Sequence, residues 1–262
     1  MLALAVSIVL SAVPAGAKDD GFTPLFNGRN LDGWYTFLQK HGKNADPDRV
    51  ITIEDGSIKL YKHAKDGDTV VMGYIGTEKE YGDYHLRLKF RWGKNKFEPR
   101  YKLKRDAGIY YHILGPDAVW PRALQFQVEQ TNVGDLIALF GLQLDSWVDP
   151  KTKGETMPTF LDADKGGTPR VLGGKGIAYQ KHLAGDHELE GWNTAEVVVK
   201  GDTVTHILNG RVVNRGEKVR LVDPQKPAEP AKPVTKGRIA LEIEAAEVEF
   251  RDVEIKSLDD AR

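Results

Sequence analysis

Apolar and polar residues alternate with period two through most of the chain, the pattern of strands that bury one face. In YHLRLKFRW, Tyr84, Leu86, Leu88, Phe90 and Trp92 form one face and His85, Arg87, Lys89 and Arg91 the other. VITIEDGSIKLY predicts a hairpin turning at Asp55-Gly56, and AEVVVKGDTVTHILNGRVVNR predicts three strands turning at Gly201-Asp202 and Asn209-Gly210. GRIALEIEAAEVEFRDVEIKSL predicts two more, with Ile239, Leu241 and Ile243 on one face, then Val248 and Phe250 before a register shift at Arg251-Asp252. No long amphipathic helix is predicted between residues 18 and 262. Many short strands joined by turn signals predict an all-β sandwich, a jelly roll of two antiparallel sheets, forming one domain over residues 18–262.

Three segments break the alternation and are read as surface loops: the basic GKNKFEPRYKLKRD, the Gly- and Lys-rich region from about Asp149 to Gly176, and DPQKPAEPAKP at residues 223–233. The first residues, MLALAVSIVLSAVPAGA, form a short apolar run ending in small-x-small, which predicts a signal peptide over residues 1–17 cleaved after Ala17. No membrane insertion is expected after that cleavage, and the expected location is periplasmic or secreted. The 37 basic and 38 acidic residues nearly cancel, giving net charge -1, so nothing global favours nucleic acid as a partner. With no cysteine there is neither a disulfide framework nor a lipid-modified cysteine.

LQFQVEQTNVGD sets Gln125, Gln127 and Glu129 at alternate positions, hence on one face of a strand. Such a row is either a solvent-facing edge or the lining of a sugar-binding cleft. In sandwiches of this kind the outward face of one sheet commonly forms a ligand groove. Other residues on comparable faces are Tyr110, His112, His206, Glu242 and Glu244, with Arg87 or His85. The direction of His206 depends on a register that its sequence, VTHILNG, leaves open. Trp34, Trp92 and Trp192 are expected in the core, whereas Trp120 and Trp147 lie near predicted loops where a ring can face a sugar.

Five blocks in order, FTPLFNGRNLDGW, DAGIYYHI, LQFQVEQTNVGD, GWNTAEVVVKGDTVTHILNGRVV and GRIALEIEAAEVEFRDVEI, resemble the 3-keto-disaccharide hydrolase domain family of exported bacterial proteins. The resemblance implies a concanavalin-A-like sandwich acting on 3-keto-glycosides that a sugar C3-oxidoreductase has produced. The chain departs from the family's usual pattern at Asp106-Ala107, at His112, and at Gln125 and Glu242, which stand where a Glu and a Gln are usual.

A conventional glycosidase needs two carboxyl groups, and an amide serves neither as nucleophile nor as acid, so Gln-x-Gln-x-Glu argues against an ordinary endo-glucanase. A ketone at C3 acidifies the hydrogen at C2, so that a base can remove it and the substituent at C1 can leave, with water addition afterwards for net hydrolysis. This needs one base, one electrophile at the ketone oxygen and one acid. Glu129 or Glu244 is the expected base, and His206 or His112 the expected acid or carbonyl polariser. Gln125, Gln127, Tyr110, Arg87 and Glu242 are expected to hold an oligosaccharide or glycoside substrate. No cofactor is certain from the pattern; a divalent metal ion at the ketone is kept as an option, although no short ligand spacing such as His-x-x-x-His points to one. A non-catalytic carbohydrate-binding module is the competing reading, and ionisable groups in the cleft would separate the two.

Overall fold

The computed structural model describes residues 20–259 apart from 224 and 227. The expected leader, residues 1–17, lies outside them. The fold is the anticipated jelly roll, with two antiparallel sheets stacked face to face. The back sheet runs, in spatial order, Thr168–Gly173, Leu142–Val148, Arg211–Leu221, Thr203–Leu208, Asn193–Lys200, Tyr84–Lys96, Ala246–Ser257, Ser57–Leu60 and Ile51–Glu54. The front sheet runs Ile177–Gln180, Leu136–Leu139, Arg122–Glu129, Asp106–Leu114, Arg238–Ile243, Gly73–Thr77, Trp34–Leu38 and Gly42–Lys43.

Alternation sets what lies between them. Leu86, Leu88 and Phe90 of the back sheet meet Ile109, Tyr111, Leu124, Phe126, Leu241 and Ile243 of the front sheet, all fully buried. The turns form where their chemistry demands. Asp55 and Gly56 both have positive φ, 51° and 73°, as do Asn209 and Gly210, 49° and 78°, which is what a two-residue type I′ hairpin needs. At Asp252, φ is 49° and the pairing with Tyr84–Lys96 slips between Arg251 and Glu254, where the sequence predicts a shift.

Two expectations change. The region from Asp149 to Gly176 is not all loop, since Thr168–Gly173 pairs along Leu142–Val148 as an edge strand, a position that tolerates Pro169. Trp34 is buried, but Trp92 and Trp192 are only half-buried. Trp92 donates Nε1–H to Glu188 at 2.7 Å, and the guanidinium groups of Arg91 and Arg251 both lie over the Trp192 ring.

Candidate functional site

The side chains of the front sheet that point away from the core line a cavity of about 400 Å³. Three carboxylates stand abreast in its floor, because Glu129 is paired opposite Asp106 and Asp106 is bridged to Glu244 on the other side. A fourth acid, Glu242, lies two residues before Glu244 on the same face, 1% exposed. Like charges this close repel unless something compensates them.

Arg100 supplies part of the compensation. Its guanidinium pairs with Asp106, reaches Glu244 at 3.0 Å and stands 3.9 Å from Glu129. The loop carrying it is anchored by Phe97, which is fully buried against the ring of Tyr61, 4.9 Å away. GKNKFEPRYKLKRD is therefore not merely a solvated insertion. Its chain folds against the cleft and delivers one cation among the acids.

The amides supply more. Gln125 donates to Glu242 at 2.7 Å, Gln127 donates to Asp106 at 2.8 Å, and the Tyr110 hydroxyl donates to Glu242. Gln125 and Gln127 were expected to hold substrate, but their amide N–H groups are used to orient acids. Gly108 makes this possible, since a Cβ there would lie 2.4 Å from Gln125 Nε2 and 2.5 Å from Glu242 Oε2. Glu129 differs from the other acids. It accepts from Asn132 and is about one-fifth exposed, so it is the carboxylate most open to a ligand.

Burial raises the pKa of Glu242 well above the usual carboxylate range, with the charges of Glu244 and Asp106 adding to the shift. Burial likewise raises Asp106, reinforced by Glu244 and opposed by Arg100. Both shifts favour the protonated form relative to a solvated carboxyl. One carboxylate oxygen from each of Asp106, Glu242 and Glu244 falls within 4.8 Å of the other two, an all-oxygen donor set suited to a hard divalent cation. Because Arg100 bonds two of these residues, a cation and the guanidinium would compete for the same oxygens.

Of the predicted site residues, Glu129, Glu242, Glu244, Gln125, Gln127 and Tyr110 come together, whereas His206, His112 and Arg87 do not. His206 faces the core with Val204 and Leu208, because Thr203–Leu208 turns its even-numbered positions inward. The His206 Nδ1–H donates to the Gly134 carbonyl at 3.2 Å and Nε2 accepts from the Tyr111 hydroxyl at 2.8 Å. Burial pushes its pKa down to about 3, so it remains neutral and structural. His112 lies fully buried at a bulge, with φ 52°, where pairing with Arg122–Glu129 slips between Tyr111 and Leu114. Burial lowers it to about 4. Arg87 belongs to the opposite sheet, pairing with Glu254 and Asp20 beneath the Phe22 ring. His85, beside it, bonds Glu196 at 2.7 Å.

The sequence reading missed Arg100, Asp135, Ile177 and Tyr179 as lining residues. Asp135 accepts from both the backbone N–H and the ring Nδ1 of His182 at 2.7 Å. Of the two tryptophans near loops, Trp120 lines the cavity and Trp147 lies outside it, on the back sheet.

A family profile described as a 3-keto-alpha-glucoside-1,2-lyase-like domain matches residues 21–256. Two solved structures, glycosyl hydrolase candidates from Parabacteroides distasonis, superpose on the fold. One has 20% identity and a TM-score of 0.53 over 91% of this chain and 94% of that one. The other has 18% identity and a TM-score of 0.52 over 90% and 99%. At such identity the likeness establishes the shared sandwich. No curated protein matches the chain.

Proposed function

The chain belongs to the 3-keto-alpha-glucoside-1,2-lyase-like domain family, and from that premise we propose that its cleft cleaves 3-keto-glycosides by elimination across C1 and C2. Family membership supports a carbohydrate-active function. The observation that carries the finer reading is the cleft floor itself, where four carboxyl groups and a guanidinium meet. A lectin can manage with amides and aromatic rings, whereas elimination needs a base.

In this proposal Glu129, the most open carboxylate, removes the C2 proton. The electron pair moves toward the ketone oxygen, where the Arg100 guanidinium offsets the developing charge. Reforming the ketone expels the C1 substituent, whose oxygen takes the proton held by the Asp106–Glu242 pair. The products are an enone sugar and a free alcohol, and one proton moves from Glu129 through water to the acid pair to restore the site. Water addition to the enone would make the net change hydrolysis.

A divalent cation, if bound, would be held by Asp106, Glu242 and Glu244 and would polarise the ketone oxygen as a Lewis acid. The proposal places the protein in the periplasm or outside the cell, downstream of an enzyme that oxidises sugars at C3. The test is to incubate the protein with a 3-keto-glucoside and with its unoxidised parent, with and without chelator, and follow release of the alcohol. Release from the keto form alone supports elimination, whereas equal release from both contradicts it.

A further inference from the structure

Polar and apolar lining residues occupy different strands of the cleft. The acids and amides stand on the central strands Arg122–Glu129, Asp106–Leu114 and Arg238–Ile243 and just after the last of them. The two neighbouring strands at one edge, Leu136–Leu139 and Ile177–Gln180, give Ile137, Leu139, Ile177 and Tyr179 instead. The pairing makes the boundary sharp, since Gln125 is opposite Ile137, which is opposite Tyr179. Trp120, just before Arg122–Glu129, and Met157 also line the cavity. Trp120, Ile177 and Tyr179 are 42%, 41% and 37% exposed, and all three line this one cavity rather than lying scattered.

On the other side of the acids the sheet offers no such room. Tyr35 and Tyr74 are buried there, and both donate their hydroxyls to Asp117, which Arg238 holds at 2.9 Å. The cleft therefore continues only modestly in that direction and opens toward the apolar edge. A second sugar on Ile137, Leu139, Met157 and Ile177 would lose water from its hydroxyls without gaining hydrogen-bond partners from those side chains. A flat apolar group would instead cover them and stack on Trp120 or Tyr179. The volume of about 400 Å³ is near the lower end of the ~300–1,000 Å³ typical of ligand pockets, enough for a sugar and a small ring system.

We infer that the group at C1 of the preferred glycoside is an apolar, planar aglycone of the aryl class, seated on Trp120, Ile177 and Tyr179. This rests on the proposal that the acid floor takes the sugar, and extends it to the leaving group.

The test is equilibrium binding of phenyl glucoside, trehalose and glucose by titration calorimetry. None carries the C3 ketone, so binding is read without turnover. Phenyl glucoside is expected to bind at least about tenfold more tightly than trehalose. Trp120→Ala and Ile177→Asn are each expected to erase most of that gain while leaving glucose binding as it was. Trehalose binding as tightly as phenyl glucoside, equal losses for all ligands in both variants, or no saturable binding of phenyl glucoside would each overturn the inference. Turnover of the 3-keto forms, measured on the same protein, reports separately on the elimination chemistry. An intact phenyl preference with uncleaved keto forms would leave the aglycone site standing and remove the reaction.

Discussion

Gln125 donates its side-chain amide to the buried carboxylate of Glu242 at 2.7 Å. These are two of the positions at which the resemblance drawn from the sequence puts the acid and the amide in the opposite places. The contact makes the two positions a single bonded unit. An amide and a carboxylate form the same bond whichever strand carries which, and only the direction of donation reverses.

Exchanging one partner should therefore cost more than exchanging both. Gln125→Glu alone sets a second carboxylate against Glu242 and should lower stability by about 1–3 kcal/mol. Gln125→Glu combined with Glu242→Gln should return to within about 1 kcal/mol of the original, a coupling that a double-mutant cycle by denaturant unfolding would measure. Additive effects would contradict it.

Arg100→Ala leaves Asp106 and Glu244 without their shared counter-charge. With the guanidinium partly exposed, a loss of about 1–3 kcal/mol is expected, together with at least a ~100-fold fall in the cleavage rate. A divalent cation should raise the melting temperature of this variant more than that of the parent, since the oxygens are then free to bind it. Equal shifts in both proteins would contradict competition for one set of ligands.

Stability should respond to pH in two opposite senses. Glu242 has a raised folded-state pKa, so its contribution is complete below the unfolded value near 4.5 and is lost as pH rises through the folded value. Glu242→Gln should therefore gain on the parent protein as pH increases. His206 has a depressed pKa of about 3, so its contribution is complete above 6.5 and is lost as pH falls. His206→Leu should flatten the acid limb, at a cost of about 1–3 kcal/mol near neutrality from the unpaired Tyr111 hydroxyl, while the Gly134 carbonyl keeps its bond from Asn214. Melting curves from about pH 3 to about pH 9 would show either slope reversed if these assignments fail.

If residues 1–17 are a cleaved leader, the protein recovered after expression in a bacterial host with an export pathway begins at Lys18. Intact mass gives the answer directly. A chain retaining Met1 in the membrane fraction would replace export of a soluble form with anchoring.

The fold was legible because the signals that set it are local. Alternation gave the buried faces of Tyr84–Lys96 and Arg238–Ile243, and Asp55-Gly56 and Asn209-Gly210 gave the turns. The Gln125, Gln127 and Glu129 face was likewise visible from period two. His206 was misplaced for a physical reason: a one-position change in which side of a strand faces in reverses every side chain, and VTHILNG is apolar on both sides. His112 sits at a bulge whose positive φ no neighbouring residue announces. Arg100 stayed hidden because a cation in a basic loop looks solvated until long-range packing of Phe97 brings it to Asp106, and the apolar edge stayed hidden because strand neighbours are set by topology.

The central claim is that Glu129 removes the C2 proton of a 3-keto-sugar. Its most direct measurement is exchange of that hydrogen with deuterium oxide, followed by NMR on a 3-keto-glucoside with the parent protein and with Glu129→Gln. The parent should exchange or eliminate the C2 hydrogen, the variant should do so at least about 100-fold more slowly, and the unoxidised glucoside should be inert. Undiminished exchange in Glu129→Gln, or equal cleavage of the unoxidised sugar, would contradict the account.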